Sequence, residues 1–178
     1  IELALNTGCR KGELLSLKWE DVDLSTRLLR LQETKSGEWQ TVPINEQARQ
    51  ILVRRLRHRE AVCPATPFVF FHERQRHGVS VGDQVKDVKA SFASACKRAG
   101  IKDFRIHDLR HTFASWLVKN GTPLLEVSKL LRHASITMTE RYAHLAPDHL
   151  HQAVANLGFT AQSQHSGEAE KPVVLKMA

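Results

Sequence analysis

The sequence predicts a mainly α-helical domain with one small antiparallel β-sheet, an α+β class. Three observations carry that expectation. Apolar residues recur at three- and four-residue intervals through most of the 178 residues. One place, near the N-terminus, shows two short β-type runs around a glycine-containing turn. No internal repeat interrupts the pattern. With 42% hydrophobic and 25% charged residues, the composition is that of an ordinary globular domain, and the length suffices for one core plus a tail.

Each element follows from local chemistry. Leu3 and Leu5 belong to a helix ending near Asn6, Thr7-Gly8 makes a turn, and Glu13-Leu14-Leu15 restarts a helix over about Lys11 to Leu17. Trp19 to Asp23 reads as loop. Leu28–Gln32 and Trp39–Ile44 read as a hairpin, with Lys35 at or next to its turn and Pro43 marking a strand end or edge. Asn45 caps a helix to about Glu60 that turns Ala48, Ile51, Leu52 and Leu56 inward. Phe68–Phe71 is a strand or packed loop. A helix is expected over Asp83 to Ala99, with Val85, Val88, Phe92 and Ala95 inward and Gly100 ending it. The next runs from His107 to Asn120 with Leu109, Phe113, Trp116 and Leu117 on one stripe, and Asn120-Gly121 stops it. Thr122 as cap and Pro123 at the first position start a helix to about Arg132. Ser135 or Thr137 caps a short helix through Tyr142. Pro147 to Leu157 reads as a last amphipathic helix, and from Gln162 the chain reads as a flexible tail.

Charge and cysteine usage narrow the class. Lys and Arg number 26 against 19 Asp and Glu, a formal net charge of +7. Residues 161–178 are neutral, with Lys171 and Lys176 against Glu168 and Glu170, so the excess sits on residues 1–160. Arg49, Arg54, Arg55, Arg57, Arg59, Arg74 and Arg76 stand against only Glu60 and Glu73. Such a surface suits a polyanion, because cations that neutralise phosphates release counterions. It equally suits a solvated basic face. No apolar run approaches the ~18 residues that span a membrane. Cys9, Cys63 and Cys96 are odd in number and form no CxxC pair, which argues against a disulfide framework and points to a reduced, cytoplasmic setting. The chain opens at Ile1 inside a helical pattern with no readable leader, so it is expected to be an excised domain.

Four places are over-equipped for a plain core. In Thr7-Gly8-Cys9-Arg10-Lys11-Gly12-Glu13, a turn meets a helix start, where Arg10 can fork onto a phosphate and Glu13 can hold it. In His107-Asp108-Leu109-Arg110-His111, a titratable imidazole shares a helix face with a permanent cation, an arrangement suited to acid–base work beside an anion. His107 and His111 also have the i,i+4 spacing of helical zinc ligands, though Asp108 stands where the metalloprotease pattern needs Glu. Arg132-His133 is followed by Tyr142, the single tyrosine and a candidate nucleophile that needs help to lose its proton. Lys35 is the fourth, a cation on a hairpin turn. Each has a bland reading as a surface or core residue. As a set, two arginines, two histidines, a lysine and a tyrosine with no carboxylate cluster describe metal-free phosphoryl transfer, with cations stabilising the phosphorane-like charge.

The pattern resembles the catalytic domain of the tyrosine recombinases, the phage integrase family. The matching stretches are Thr7 to Leu14, Thr34-Lys35, His107 to Thr112, Leu131-Arg132-His133 and Ile136 to His144, in the family's order over residues 1–160. The resemblance implies that Arg10 and Arg110 clamp the scissile phosphate, Lys35 protonates the departing 5′-oxygen, and His107 accepts or shares the tyrosine proton. It implies that His133 hydrogen-bonds a phosphate oxygen and that Tyr142 attacks to leave a 3′-phosphotyrosine, with Glu13 as the acidic partner of Arg10. It further implies no cofactor, double-stranded DNA as partner, a homo-oligomer that is a tetramer on paired DNA sites, and no membrane. The family's N-terminal DNA-binding domain is missing from this sequence, and residues 161–178 are expected to dock on a neighbouring protomer. One departure stands out: the family usually has Gly where this chain has Arg132. The alternatives are a DNA-binding module of the same fold without cleavage, a type IB topoisomerase-like enzyme, and the zinc hydrolase that the histidine spacing suggests.

Overall fold

The computed structural model describes residues 1–32, 39–147 and Val154. The chain divides into two units, Ile1–Pro147 and Asp148–Ala178, and every element named below belongs to the first. Lys35, the tail from 161 and, Pro147 and Val154 aside, the expected helix over 147–157 lie outside the described residues.

The chain opens with α1 (Glu2–Thr7) and α2 (Lys11–Ser16), as the Thr-Gly turn predicts. Gly8 between them has φ +62°, and a Cβ there would fall 2.4 Å from the ring of Phe113. Glycine alone permits both that backbone and that approach. Three strands follow: β1 (Val22–Asp23), β2 (Leu28–Gln32) and β3 (Trp39–Pro43), antiparallel in the order β1-β2-β3. Leu29 lies opposite Val22 on one side and Val42 on the other. The sequence reading leaves β1 as loop. Asp23 accepts from the Ser25 and Thr26 N–H groups through Oδ1, and that local turn folds Val22–Asp23 back onto β2. Period-two alternation buries Leu29, Leu31 and Val42 and exposes Arg30 and Thr41.

Helix α3 (Glu46–Val62) starts where Asn45 Oδ1 accepts the Ala48 N–H at 2.8 Å, and it buries Ala48 and Leu52. Its arginines divide into two groups. Arg49 pairs with Glu46, Arg55 reaches the Val69 carbonyl and Glu73 while lying over Phe70 and Phe71, and Arg59 Nε donates to the Thr66 carbonyl. Arg54 and Arg57 are exposed.

Helix α4 (Lys89–Arg98) begins six residues later than the apolar spacing predicts. Residues 83–88 instead run along Phe70–His72: the Val85 N–H donates to the Phe70 carbonyl, the His72 N–H to the Asp83 carbonyl, and Phe71 bridges Gln84. Asp87 Oδ1 then accepts from the Val88 and Lys89 N–H groups and starts the helix. Tertiary pairing has overridden a helical pattern.

Helices α5 (Asp108–Lys119), α6 (Leu124–Leu131) and α7 (Thr137–Glu140) complete the unit. Pro123, not Thr122, immediately precedes α6. Trp116, expected inward, is 52% exposed. The buried face of α5 runs through Arg110, Ala114 and Val118, and Trp116 lies about 200° around the helix from Ala114.

Two apolar clusters make the core. The first joins α1, α2, the sheet and α3 through residues such as Leu3, Leu14, Leu29 and Leu52, and includes Leu109. The second gathers Ala114, Val118, Val127, Leu131 and Tyr142. Burying a side chain such as Leu52 or Leu131 contributes about 1.5–3 kcal/mol. Helix α5 therefore belongs to both clusters, and Arg110 stands at the seam between them.

Candidate active site

The site assembles along that seam. Arg110 is 4% exposed; its Nη1 donates to the Gly8 carbonyl at 2.7 Å and its Nη2 to the Leu131 carbonyl. One guanidinium thus ties the α1–α2 turn to the end of α6, and its other N–H donors stay available for an anion. Arg10, the residue before α2, lies beside it. The Arg10 N–H donates to Glu13 Oε2 at 2.7 Å and Nη1 to Oε1 at 2.8 Å, so Glu13 fixes both the backbone and the side chain of this arginine.

Arg132 closes the same face. It ends α6 in the left-handed region, φ +54°, with its N–H on the Lys129 carbonyl and the His133 N–H on the Ser128 carbonyl. That is a Schellman motif with arginine where glycine is the usual residue. The Arg132 side chain is 5% exposed, and its Nη2 donates to Glu13 Oε2 at 2.5 Å. His133, the next residue, places Nδ1 2.8 Å from Oγ1 of the fully buried Thr139.

Tyr142 follows α7, its N–H on the Thr139 carbonyl, and its ring is buried in the second cluster. Its hydroxyl is hydrogen-bonded to Nδ1 of His111. The resemblance gave the tyrosine proton to His107. His107 is exposed, and its ring stands edge-on to that of His111 with 4.9 Å between centroids. In the sequence His111 stands out only as half of a zinc-spaced pair; the same i,i+4 spacing, read as two imidazoles on one face, is the signal that points to it. Among the described residues, no three His, Cys, Asp or Glu side chains lie close enough together to hold a metal ion.

The charges act on one another. Burial, then the positive charges of Arg10 and Arg132, push the Arg110 guanidinium down to about 10, which leaves it cationic at neutral pH. Burial and the cations Arg110, Arg10 and Arg141 push His133 down to about 4, and burial with His107 and Arg141 lowers His111. Both imidazoles are therefore neutral at pH 7. Burial raises the Tyr142 hydroxyl against the opposing charges of Arg141 and Arg110, so the tyrosine keeps its proton. With its own proton on Nε2, neutral His111 accepts the Tyr142 O–H and is placed to act as its base. Of the residues singled out in the sequence, Arg10, Glu13, Arg110, His133 and Tyr142 converge here; Lys35 lies outside the described residues.

Comparison with known proteins gives the family of the chain. Residues 1–149 match the phage integrase family model. The chain is 35% identical over 157 residues to the integrase of Salmonella phage P22, a match covering 84% of this chain and 39% of that one. Its fold matches the catalytic domain of bacteriophage HP1 integrase with a TM-score of 0.63 and 30% identity, over 91% of this chain and 82% of that one. A transposon Tn1549 integrase in complex with transposon right end DNA has the same fold, with a TM-score of 0.67 and 22% identity over 87% of this chain and 55% of that one. The chain belongs to the phage integrase family. It spans less than half the length of the P22 protein.

Proposed function

We propose that residues 1–160 form the strand-cleaving domain of a site-specific DNA recombinase. The observation that carries this reading is the Tyr142 hydroxyl on neutral His111, beside a seam that gathers Arg110, Arg10 and His133. Tyr142 attacks the scissile phosphorus, its proton passes to His111, and the P–O5′ bond breaks to leave a 3′-phosphotyrosine and a 5′-hydroxyl. Arg10 and Arg110 neutralise the equatorial oxygens, where charge develops. His133, neutral and oriented by Thr139, donates a hydrogen bond to one of them. Lys35 is assigned the protonation of the departing oxygen. The ester bond energy is kept in the phosphotyrosine, so a second 5′-hydroxyl reseals the strand by the reverse route. The partner is double-stranded DNA, the working assembly a homotetramer on two paired sites with residues 161–178 docked on a neighbour, and the setting the cytoplasm.

The test is a suicide duplex nicked near the cleavage point, drawn from DNA flanking the gene. Wild-type protein is expected to form a covalent adduct that Tyr142→Phe does not. Salt-dependent binding of the duplex with no adduct would instead identify a DNA-binding module, and relaxation of plasmids lacking the site would identify a topoisomerase.

A further inference from the structure

Arg132 breaks a local rule, and the seam shows what the break does. A residue with a Cβ is disfavoured at φ +54°, and the Schellman motif here works equally well with glycine. The Arg132 side chain is nonetheless buried, and its charge meets a carboxylate 119 residues away in sequence. Glu13 Oε2 receives Arg132 from the end of α6 and the Arg10 N–H from the α1–α2 turn, while Oε1 receives the Arg10 guanidinium. Arg132 Nη1 also donates to the Leu130 carbonyl at 3.2 Å, which fixes the guanidinium against its own helix end. The Arg132–Glu13–Arg10 chain runs parallel to the tie that Arg110 makes between the Gly8 and Leu131 carbonyls. One of these ties carries the residue before His133, and the other the residue before Arg132.

We propose that Arg132 is a positioning residue: through Glu13 it sets Arg10 and His133 relative to each other across the seam. Its guanidinium is taken up by the Glu13 carboxylate through Nη2 and by the Leu130 carbonyl through Nη1, so it acts through Glu13 and not on the phosphate. The inference rests on the strand-cleavage reading, because the two side chains it aligns are those assigned to the phosphate. Two ties in place of one hold the phosphate-facing groups in a narrower range of positions, which matters because small misplacements of such groups cost large factors in rate.

The test uses the full chain and compares Arg132→Gly, Arg132→Lys and Glu13→Gln. Glycine suits the backbone at this position, so relief of the left-handed strain offsets part of what the lost ion pair costs, and melting reports the balance. Three measurements are made: thermal melting, the carboxyl titration of Glu13 by NMR, and single-turnover cleavage of the nicked duplex over pH. The groups facing Glu13 are Arg10, Cys9, Arg110 and Arg132. Burial pushes the Glu13 carboxyl up, but Arg132 and the Arg10 N–H and guanidinium outweigh it and hold it below its ordinary value. In Arg132→Gly the titration is expected to move up. Cleavage at neutral pH should slow by about tenfold or more at a temperature where melting shows the variant folded, and the acid limb of the rate should move to higher pH. Arg132→Lys should recover part of the rate, and Glu13→Gln should add little to Arg132→Gly, since both break one linkage. Wild-type protein that forms no adduct overturns the cleavage reading and this proposal with it. A wild-type adduct together with an unchanged Glu13 titration and an unchanged Arg132→Gly rate overturns this proposal alone.

Discussion

The Tyr142 hydroxyl is hydrogen-bonded to Nδ1 of His111 in α5, and the ring of His107, the residue before α5, stands edge-on to that imidazole. The tyrosine is protonated and the imidazole neutral at pH 7, the pairing a base needs. His111→Ala should therefore slow covalent trapping of the nicked duplex by about 100-fold or more, the lower end of what a positioned base contributes. His107→Ala should slow it less. Both variants should bind DNA as the wild type does. The reverse ranking in single-turnover assays would return the proton to His107.

Gly8 is the second point of leverage. Its φ of +62° and the Phe113 ring 2.4 Å from any added Cβ leave no room for alanine. Gly8→Ala should destabilise the fold by about 1–3 kcal/mol, a strained left-handed residue with a steric clash added. Thermal melting measures the loss. Gly12→Ala, with open space around it, serves as the control. Because the Gly8 carbonyl also holds Arg110, the same change should impair cleavage in the molecules that remain folded.

Much of this was legible in the sequence, and the limits have physical causes. Thr7-Gly8, Asn45 and Asn120-Gly121 announce turns, caps and stops through local chemistry, and the structure has them in place. The late start of α4 was not legible, because the pairing of 83–85 with Phe70–His72 is made by residues distant from its helical pattern. Trp116 was misplaced for a related reason. Its spacing fits a stripe through Leu109 and Phe113, but α5 buries Arg110, Ala114 and Val118 because it must serve two clusters at once. At the site, motif order supplied Arg10, Glu13, Arg110, His133 and Tyr142. The motifs did not supply the burial of Arg132 against Glu13 or the hydrogen bond between the Tyr142 hydroxyl and His111. Both depend on which side chains the seam brings together.

The two lowered histidines give the fold a pH signature. The unfolded chain binds protons at His111 and His133 near pH 6.5, while folded His133 resists until about 4 and folded His111 is lowered in the same direction. Between those values the unfolded state holds more protons, so stability is fully present above about pH 6.5 and declines as pH falls. The part of the window from 6.5 to 5 lies above the carboxylate range, so acid-induced melting there reports on imidazoles. His133→Gln should flatten the dependence of melting temperature on pH across that interval. An unchanged slope would mean that His133 is freely protonated in the folded protein.

Arg110 and Arg54 are the same residue type in opposite settings, and substituting lysine separates them. Arg54 pairs with Glu2 at 3.4 Å with both side chains about 70% exposed, a pair whose loss is worth ~0–1 kcal/mol. Arg110 is buried and spans two carbonyls, one in the α1–α2 turn and one at the end of α6. Lysine presents three donors from one point and cannot reach both carbonyls from the α5 backbone as a planar fork does. A carbonyl left unpaired at such a depth costs about 1–3 kcal/mol. Arg110→Lys should therefore lower the melting temperature where Arg54→Lys does not. It should also abolish detectable trapping of the nicked duplex, because the lysine that still reaches one carbonyl has withdrawn its charge from the phosphate. If Arg110→Lys melts like the wild type but still loses trapping, the arginine serves the phosphate alone and the seam is held by its other contacts.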